Sequence, residues 1–147
     1  MFGRILVCLD DSDLSEQIVP YAAEVAWRFG SRLVLFTAVD TVSAAAPEYA
    51  VEMDMVQELK RSQAQRHLEE VAARLAETGL EAEPVVVIGS PAHAIVDYAA
   101  TNGMELIAMG THGRQNIGRL VFGSVMDHVL RHAGVPVLAM KPQPEAK

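Results

Sequence analysis

Residues 106–113 read LIAMGTHG, and after nine further residues Gly123-Ser124 opens the helical pattern VMDHVL of residues 125–130. Glycines at the end of a strand and again at the start of a helix let the backbone approach a bound molecule closely. A helix N-terminus leaves N–H groups unpaired and carries partial positive charge, so it suits a phosphate group. The stretch therefore predicts a strand, a phosphate-holding loop and a helix, in that order.

The rest of the chain alternates between strand-like and helix-like segments. Apolar runs typical of strands cover residues 4–10, 32–40, 83–88, 106–109 and 135–140. Helical spacing of apolar residues covers residues 13–29, 54–78, 91–101 and 124–133. Because strands alternate with helices, we expect a three-layer α/β fold: an open parallel sheet with helices on both faces.

Three local signals refine the helical segments. Asp13 with Glu16 resembles a capping box at the start of the first helix, and Pro20 is expected to bend its first turns. Residues 41–52 are rich in alanine and contain a proline, which predicts a loop. Ser124 is expected to cap the last helix.

Length, composition and charge exclude several classes of protein. The chain has 147 residues, half of them hydrophobic, which predicts one domain with a sizeable core. We place that domain at residues 1–142 and expect a frayed tail at residues 143–147. The net charge is −7, no basic run exists and aromatic residues make up 5%, which argues against nucleic acid as a partner.

The single cysteine and the hydropathy pattern bear on the compartment. Cys8 lies in an apolar run, so we interpret it as a buried core thiol, and one cysteine cannot build a disulfide framework within the chain. No secretory signal pattern begins the sequence, and no apolar stretch approaches the roughly 18 residues that span a membrane. The expectation is a cytoplasmic protein that does not contact membranes.

Two strand ends suggest where a ligand binds. In open parallel sheets, ligands bind outside the carboxyl ends of the strands, where the strand order reverses. The first strand ends at Asp10-Asp11-Ser12 and the fourth at Gly110. If both flank the reversal, Asp10 faces the glycine loop, where an acid accepts hydrogen bonds from ribose hydroxyls or a base amine. The alternative, that the two aspartates only begin a turn, remains equally open at this point.

Taken together, Gly110-x-x-Gly113, the nine-residue spacer and Gly123-Ser124 resemble the nucleotide-binding motif of the universal stress protein family, in its ATP-binding branch. The resemblance extends over nearly the whole chain, because residues 5–12, 87–91 and 135–138 are similar to the family's first strand with its acidic turn, third strand and closing strand. It implies an adenine nucleotide alpha-hydrolase-like fold with five strands in the order 3-2-1-4-5. It also implies a role in the stress response and a homodimer joined through the last strand, residues 135–140.

The resemblance assigns residues to the two ends of an ATP molecule. The adenosine and first phosphate would be contacted by Cys8, Leu9, Asp10, Ala38, Met109 and Gly110. The phosphates would be held, mainly through backbone N–H groups, by Gly113, Gly123, Ser124 and Val125. The loop contains no lysine, and its strong cations are Arg114 and Arg119. Arg114 is open to two interpretations, a phosphate contact or a solvated side chain. Mg²⁺ or Mn²⁺ would be held mainly by the phosphates, so no protein metal site is predicted.

Three other functions fit parts of the sequence. A phospho-accepting receiver domain needs an acid after the third strand, which ends instead at residues 88–90, Ile-Gly-Ser. An interaction module without nucleotide would not need the complete glycine pattern. An enzyme, at most a slow ATP hydrolase, has His112 as its best candidate for a catalytic group, but a lone histidine without an orienting partner is a weak signal. We therefore predict a regulatory nucleotide and no catalytic residue.

No function is predicted for the remaining histidines. His128 and His132 are four residues apart on the last predicted helix, a spacing that can bind metal, but no third ligand is evident. His67 and His93 are expected to be surface or cap residues.

Overall fold

A computed structural model of the chain describes residues 1–111 and 123–143. Its elements are, in chain order, β1 (Arg4–Cys8), α1 (Asp13–Glu16), α2 (Val19–Phe29), β2 (Arg32–Val39), a 3₁₀ turn (Pro47–Tyr49), α3 (Ala50–Glu77), β3 (Ala82–Ile88), α4 (Pro91–Thr101), β4 (Leu106–Gly110), α5 (Ser124–His132) and β5 (Val137–Met140). The five strands form one sheet in the order β3-β2-β1-β4-β5 with parallel pairing throughout. The predicted fold class and strand order are confirmed.

The sheet separates two hydrophobic cores. Along β1, Ile5 and Val7 point into the core that α2 and α3 cover, whereas Leu6 and Cys8 point into the core that α4 and α5 cover. All four side chains are buried. Because both faces of the strand are covered, its sequence is a continuous apolar run rather than an alternating one.

The segment predicted as one bent helix, residues 13–29, forms two helices. Pro20 lies in the first turn of α2, where its missing N–H and fixed φ are tolerated, so the chain breaks before it instead of bending around it. The N-cap of α1 is Ser12 and not Asp13. The Ser12 Oγ accepts a hydrogen bond from the Ser15 backbone N–H at 3.1 Å.

Helix α3 begins at Ala50, inside the segment predicted as a loop, and only its C-terminal half faces the core. The buried side chains of that half include Leu68, Val71 and Leu75. Met55 and Leu59, in the N-terminal half, are 68% and 55% exposed. The helix has 28 residues and β2 has 8. At about 1.5 Å per helical residue and about 3.3 Å per strand residue, the helix is longer than the strands beneath it.

The last strand lies at an edge of the sheet. Its register joins Ala108 to Leu138 and Gly110 to Met140, and Pro136 precedes it, with its carbonyl accepting from the Ile107 N–H at 3.0 Å. Gln143 exchanges two hydrogen bonds with Gln17, each at 2.8 Å, one from each residue's nitrogen to the other's oxygen. Within residues 1–111 and 123–143, no helix is both long and apolar enough to cross a bilayer.

Candidate functional site

The strand order reverses between β1 and β4, because β1 leads to β2 and β3 on one side and to β4 and β5 on the other. Val7 pairs with Ala108, and the register brings Asp10 beside the residue after Gly110. On the other side Cys8 pairs with Phe36, which brings Asp10 beside Ala38. Asp10 thus follows the central strand, between the carboxyl ends of β2 and β4. This is the place where ligands bind in open parallel sheets.

Hydrogen bonds order the acidic turn after β1. The Asp10 carboxylate accepts from the Ser12 backbone N–H at 3.0 Å and from the Ser12 hydroxyl. The Ser15 Oγ accepts from the Asp10 N–H at 3.1 Å and donates to the Ser12 carbonyl at 3.0 Å. Asp11 adopts a left-handed φ of 69°, which turns the chain out of the strand. Asp10 and Asp11 therefore begin a turn, and a ligand contact by the Asp10 carboxylate stays a prediction.

The backbone of Leu9 is committed to the neighbouring strand. Its N–H donates to the Phe36 carbonyl at 2.9 Å, and its carbonyl accepts from the Thr37 hydroxyl at 2.9 Å. The predicted contact of this backbone with adenine or ribose is accordingly limited to the second lone pair of the carbonyl. Thr37, a buried polar side chain, was missed from the sequence because threonine is common in strands for reasons of packing alone.

Two predicted site residues direct their side chains into the core. Cys8 and Met109 are 7% and 5% exposed and belong to the core beneath α4 and α5. Burial raises the pKa of the Cys8 thiol far above its ordinary value, so the side chain is an unreactive thiol, as interpreted from the sequence. Any contact of these residues with a ligand is through the backbone.

The start of α5 differs by one residue from the prediction. Gly123, not Ser124, is the N-cap: its carbonyl accepts from the Asp127 N–H at 3.0 Å. The Gly123 N–H donates to the Thr111 carbonyl at 3.2 Å, and the Thr111 N–H donates to the Met140 carbonyl at 2.7 Å. The end of β4 is thereby tied both to β5 and to α5. The N–H groups left without an intrahelical acceptor are those of the first helical turn, which begins with Ser124 and Val125.

Three residues of the sequence motif, His112, Gly113 and Arg114, lie outside the described residues. The phosphate contacts predicted for Gly113 and Arg114 stay predictions, as does the interpretation of His112. The described part of the site thus consists of two ends, the acidic turn after β1 and the N-terminus of α5, on either side of the end of β4.

A third histidine, His93, lies beside the pair His128 and His132 on α5. The ring of His93, on α4, has its centroid 4.5 Å from that of His128, which in turn lies 4.4 Å from that of His132. Within the part of the chain that the structure describes, no three or more histidine, cysteine or acidic side chains are arranged to hold a metal ion.

His67 is not a surface residue, contrary to expectation. Its side chain is 18% exposed, and its Nε2 lies 2.7 Å from the Glu16 Oε1, which also accepts from the Arg74 Nη2 at 3.0 Å. No sequence signal pointed to this contact, because its partners are 51 and 58 residues from Glu16 along the chain.

Comparison with known proteins gives a consistent result. The model of the universal stress protein family matches residues 1–141. A universal stress protein of Thermus aquaticus is 33% identical over 142 residues, which cover 96% of this chain and 100% of the relative.

Two solved structures are similar along almost their full length. A universal stress protein from Lactobacillus plantarum superposes with a TM-score of 0.86 at 23% identity, over 95% of this chain and 98% of the other, which bears on the fold alone. A universal stress protein in complex with cAMP superposes with a TM-score of 0.68 at 28% identity, over 97% of this chain and 98% of the other.

Proposed function

Because the chain belongs to the universal stress protein family, we propose that it binds ATP at the carboxyl edge of the sheet. Adenosine lies beside Asp10 and Ala38, and the phosphates lie at the N-terminus of α5. The observation that carries the proposal is the reversal of strand order between β1 and β4, which brings the acidic turn and the residue after Gly110 to one edge. A similar protein, 28% identical, was solved in complex with cAMP, which is also an adenine nucleotide.

The residues of the edge suit such a ligand. A carboxylate accepts hydrogen bonds from ribose hydroxyls or from the adenine amine, and Asp10 stands at the end of the central strand. At the other end, Gly123 has no side chain to keep a phosphate away, and the first N–H groups of a nine-residue helix follow it. Mg²⁺ or Mn²⁺ would be held mainly by phosphate oxygens, and Gly113 and Arg114 would add contacts from the loop.

The proposed role of the nucleotide is regulatory. The functional groups near the described edge are the carboxylates of Asp10 and Asp11, hydroxyl groups and backbone N–H groups. Asp10 and the two serines bond to one another, an arrangement that holds a turn in place. We therefore propose a cytoplasmic stress-response protein in which ATP favours one conformation and is hydrolysed slowly if at all.

Titration calorimetry with ATP, together with nucleotide analysis of the purified protein, tests the site. Gly123→Val places a branched side chain at the proposed phosphate position and should weaken ATP binding at least about tenfold. Gly134→Ala is the matched control, because a Cβ built there meets nothing within 4 Å and its φ is ordinary. If wild-type protein binds ATP no better than Gly123→Val, the proposal is wrong. AMP and cAMP titrations identify the preferred adenine nucleotide.

A homodimer through β5 accompanies the proposal. Within the described sheet β5 is an outermost strand, and Val137 and Leu138 on it are only partly buried. Pairing with a second copy would cover this edge. Sedimentation analysis tests the assembly: Ala139→Asp, a change at an exposed position of β5, should yield monomers. An unchanged dimer would place the interface elsewhere.

A further inference from the structure

Helix α1 links the acidic turn to the rest of the molecule, and it has only four residues. A helix this short does not hold itself together in water, because the cost of nucleation exceeds what its few hydrogen bonds return. Its position is set by the contacts that its side chains make with other elements. Those contacts therefore also decide where the turn that contains Asp10 stands.

One such contact joins α1 to the C-terminal half of α3. The Glu16 Oε1 lies 2.7 Å from the His67 Nε2 and 3.0 Å from the Arg74 Nη2. The Glu16 and His67 side chains are 23% and 18% exposed, so solvent screens this pair less than an ion pair on the open surface. We call these three side chains the α1–α3 clamp.

Hydrogen bonds of Ser15 and Ser12 connect the clamp to Asp10. Glu16 follows Ser15, whose hydroxyl accepts from the Asp10 N–H and donates to the Ser12 carbonyl. The Ser12 N–H in turn donates to the Asp10 carboxylate. A shift of α1 relative to α3 would therefore move the Asp10 side chain and backbone together.

The chemistry of His67 argues that the clamp does more than fill space. Its Nδ1 is buried and has no hydrogen-bond partner among the described residues. An apolar side chain of similar size would pack at this position without that desolvation cost. What the imidazole adds is the contact of its other nitrogen with Glu16.

We propose that Glu16, held by His67 and Arg74, is a positioning residue for the adenosine end of the site. It fixes α1 against α3 and so sets the orientation of the Asp10 carboxylate toward ribose or adenine. The N-terminus of α5 belongs to the opposite helical layer and does not depend on the clamp. The inference rests on the proposed ATP site, and it adds a residue that would not touch the nucleotide.

The test separates the two ends of the ligand. Glu16→Gln keeps the size of the side chain but removes its charge, and binding is measured for ATP, adenosine and inorganic triphosphate. We expect ATP and adenosine affinity to fall at least about fivefold, whereas triphosphate affinity stays unchanged. Glu24→Gln, which breaks an exposed Glu24–Arg28 pair on α2, is the matched control and should change none of the three.

Two variants of Arg74, the third clamp residue, test whether Glu16→Gln lowers affinity merely by disturbing the fold. Arg74 is 63% exposed, so Arg74→Gln weakens the clamp with little effect on the core. It should lower adenosine affinity without lowering triphosphate affinity, and Arg74→Lys, which keeps a cation, should retain more of the adenosine affinity. Equal loss for adenosine and triphosphate in the Glu16 and Arg74 variants would overturn the inference.

Different binding results would contradict the positioning role of the clamp and the proposed ATP site. If Asp10→Asn weakens adenosine binding while Glu16→Gln and Arg74→Gln do not, the clamp has no positioning role and the ATP site stands. If the wild-type protein binds neither ATP nor adenosine, both proposals are wrong.

Discussion

The two helical layers cover opposite faces of one sheet, but different chemistry joins the helices within each layer. In the layer of α1, α2 and α3, the junction unites unlike groups, since the Glu16 carboxylate contacts His67 and Arg74. In the layer of α4 and α5, like groups meet, since the rings of His93 and His128 have centroids 4.5 Å apart. The Arg74 guanidinium at the first junction has a carboxylate beside it, whereas His128 at the second has two imidazoles near it as well as the carboxylates of Asp127 and Asp97. The two layers should therefore respond differently to acid.

The pKa of His128 expresses this difference. Desolvation lowers it below the ordinary value, and the neighbouring His132 and His93 lower it further, against an opposing effect of Asp127 and Asp97. The folded protein thus resists protonation at this position. The layer that carries the proposed phosphate end of the site is also the layer that acid should loosen.

The largest expected effect tests whether burial, rather than helix position, decides stability in the first layer. Leu68 is fully buried, so Leu68→Ala should lower the free energy of unfolding by about 2–5 kcal/mol. Leu59 lies on the same helix but is 55% exposed, and Leu59→Ala should change it by less than about 0.5 kcal/mol. Urea unfolding at pH 7.5 measures both. A large loss for Leu59→Ala would mean that the exposed half of α3 is covered in solution.

The second layer provides the counterpart. Met126 on α5 is 1% exposed, so Met126→Ala should also cost about 2–5 kcal/mol in the same experiment. Similar losses for Leu68→Ala and Met126→Ala would mean that packing stabilises both layers to a similar degree. The difference between the layers would then lie in their polar junctions. A negligible cost for Met126→Ala would break the comparison, because α5 would then contribute little to the fold.

The next effect, of intermediate size, is the loss of stability at acidic pH. The pKa of His128 is lowered in the folded state from 6.5, so as the pH falls below that value the unfolded chain takes up a proton that the folded chain resists. Stability should be fully present above about pH 7 and should decline as the pH falls through 6.5 and below. His128→Gln should lose less stability than wild type between pH 7.5 and 5.5. Identical pH profiles of the two proteins would exclude a contribution from this junction.

The fold could be predicted from the sequence because its decisive signals are local. Strands buried on both faces read as continuous apolar runs, and those runs placed β1 and β2 within two residues of their observed ends. Helix boundaries were harder to predict from the sequence. Pro20 is compatible with a bend or with a first turn, and only the packing of α2 on the sheet decides between them. The early start of α3 was hidden by a proline at residue 47, which lies in a separate 3₁₀ turn.

The polar junctions could not be predicted for a different reason. The place of Asp10 at the reversal of strand order followed from the end of an apolar run and from the family's strand order. By contrast, Glu16 meets His67 across 51 residues, and His93 meets His128 across two packed helices. Such contacts depend on helix orientation, and apolar spacing does not encode which polar side chains will face each other.

The smallest expected effect is a change in acid stability opposite in sign to that expected for His128→Gln. Asp97 on α4 raises the pKa of His128 and is the weakest of its influences, so Asp97→Asn should lower that pKa slightly further. The variant should match wild type at pH 7.5 and lose slightly more stability than wild type at pH 5.5. Parallel urea unfolding at the two pH values measures the difference.

Glu24→Gln removes an exposed carboxylate from the first layer and serves as the control. It should leave the pH profile between 7.5 and 5.5 unchanged, because Glu24 is not among the groups that shift the pKa of His128. A smaller acid loss in Asp97→Asn than in wild type would contradict the assignment. His128→Gln removes the imidazole and Asp97→Asn lowers its pKa, so a smaller acid loss in the first variant and a larger one in the second would trace the acid response to the junction of α4 and α5, whereas shifts of the same sign would contradict it.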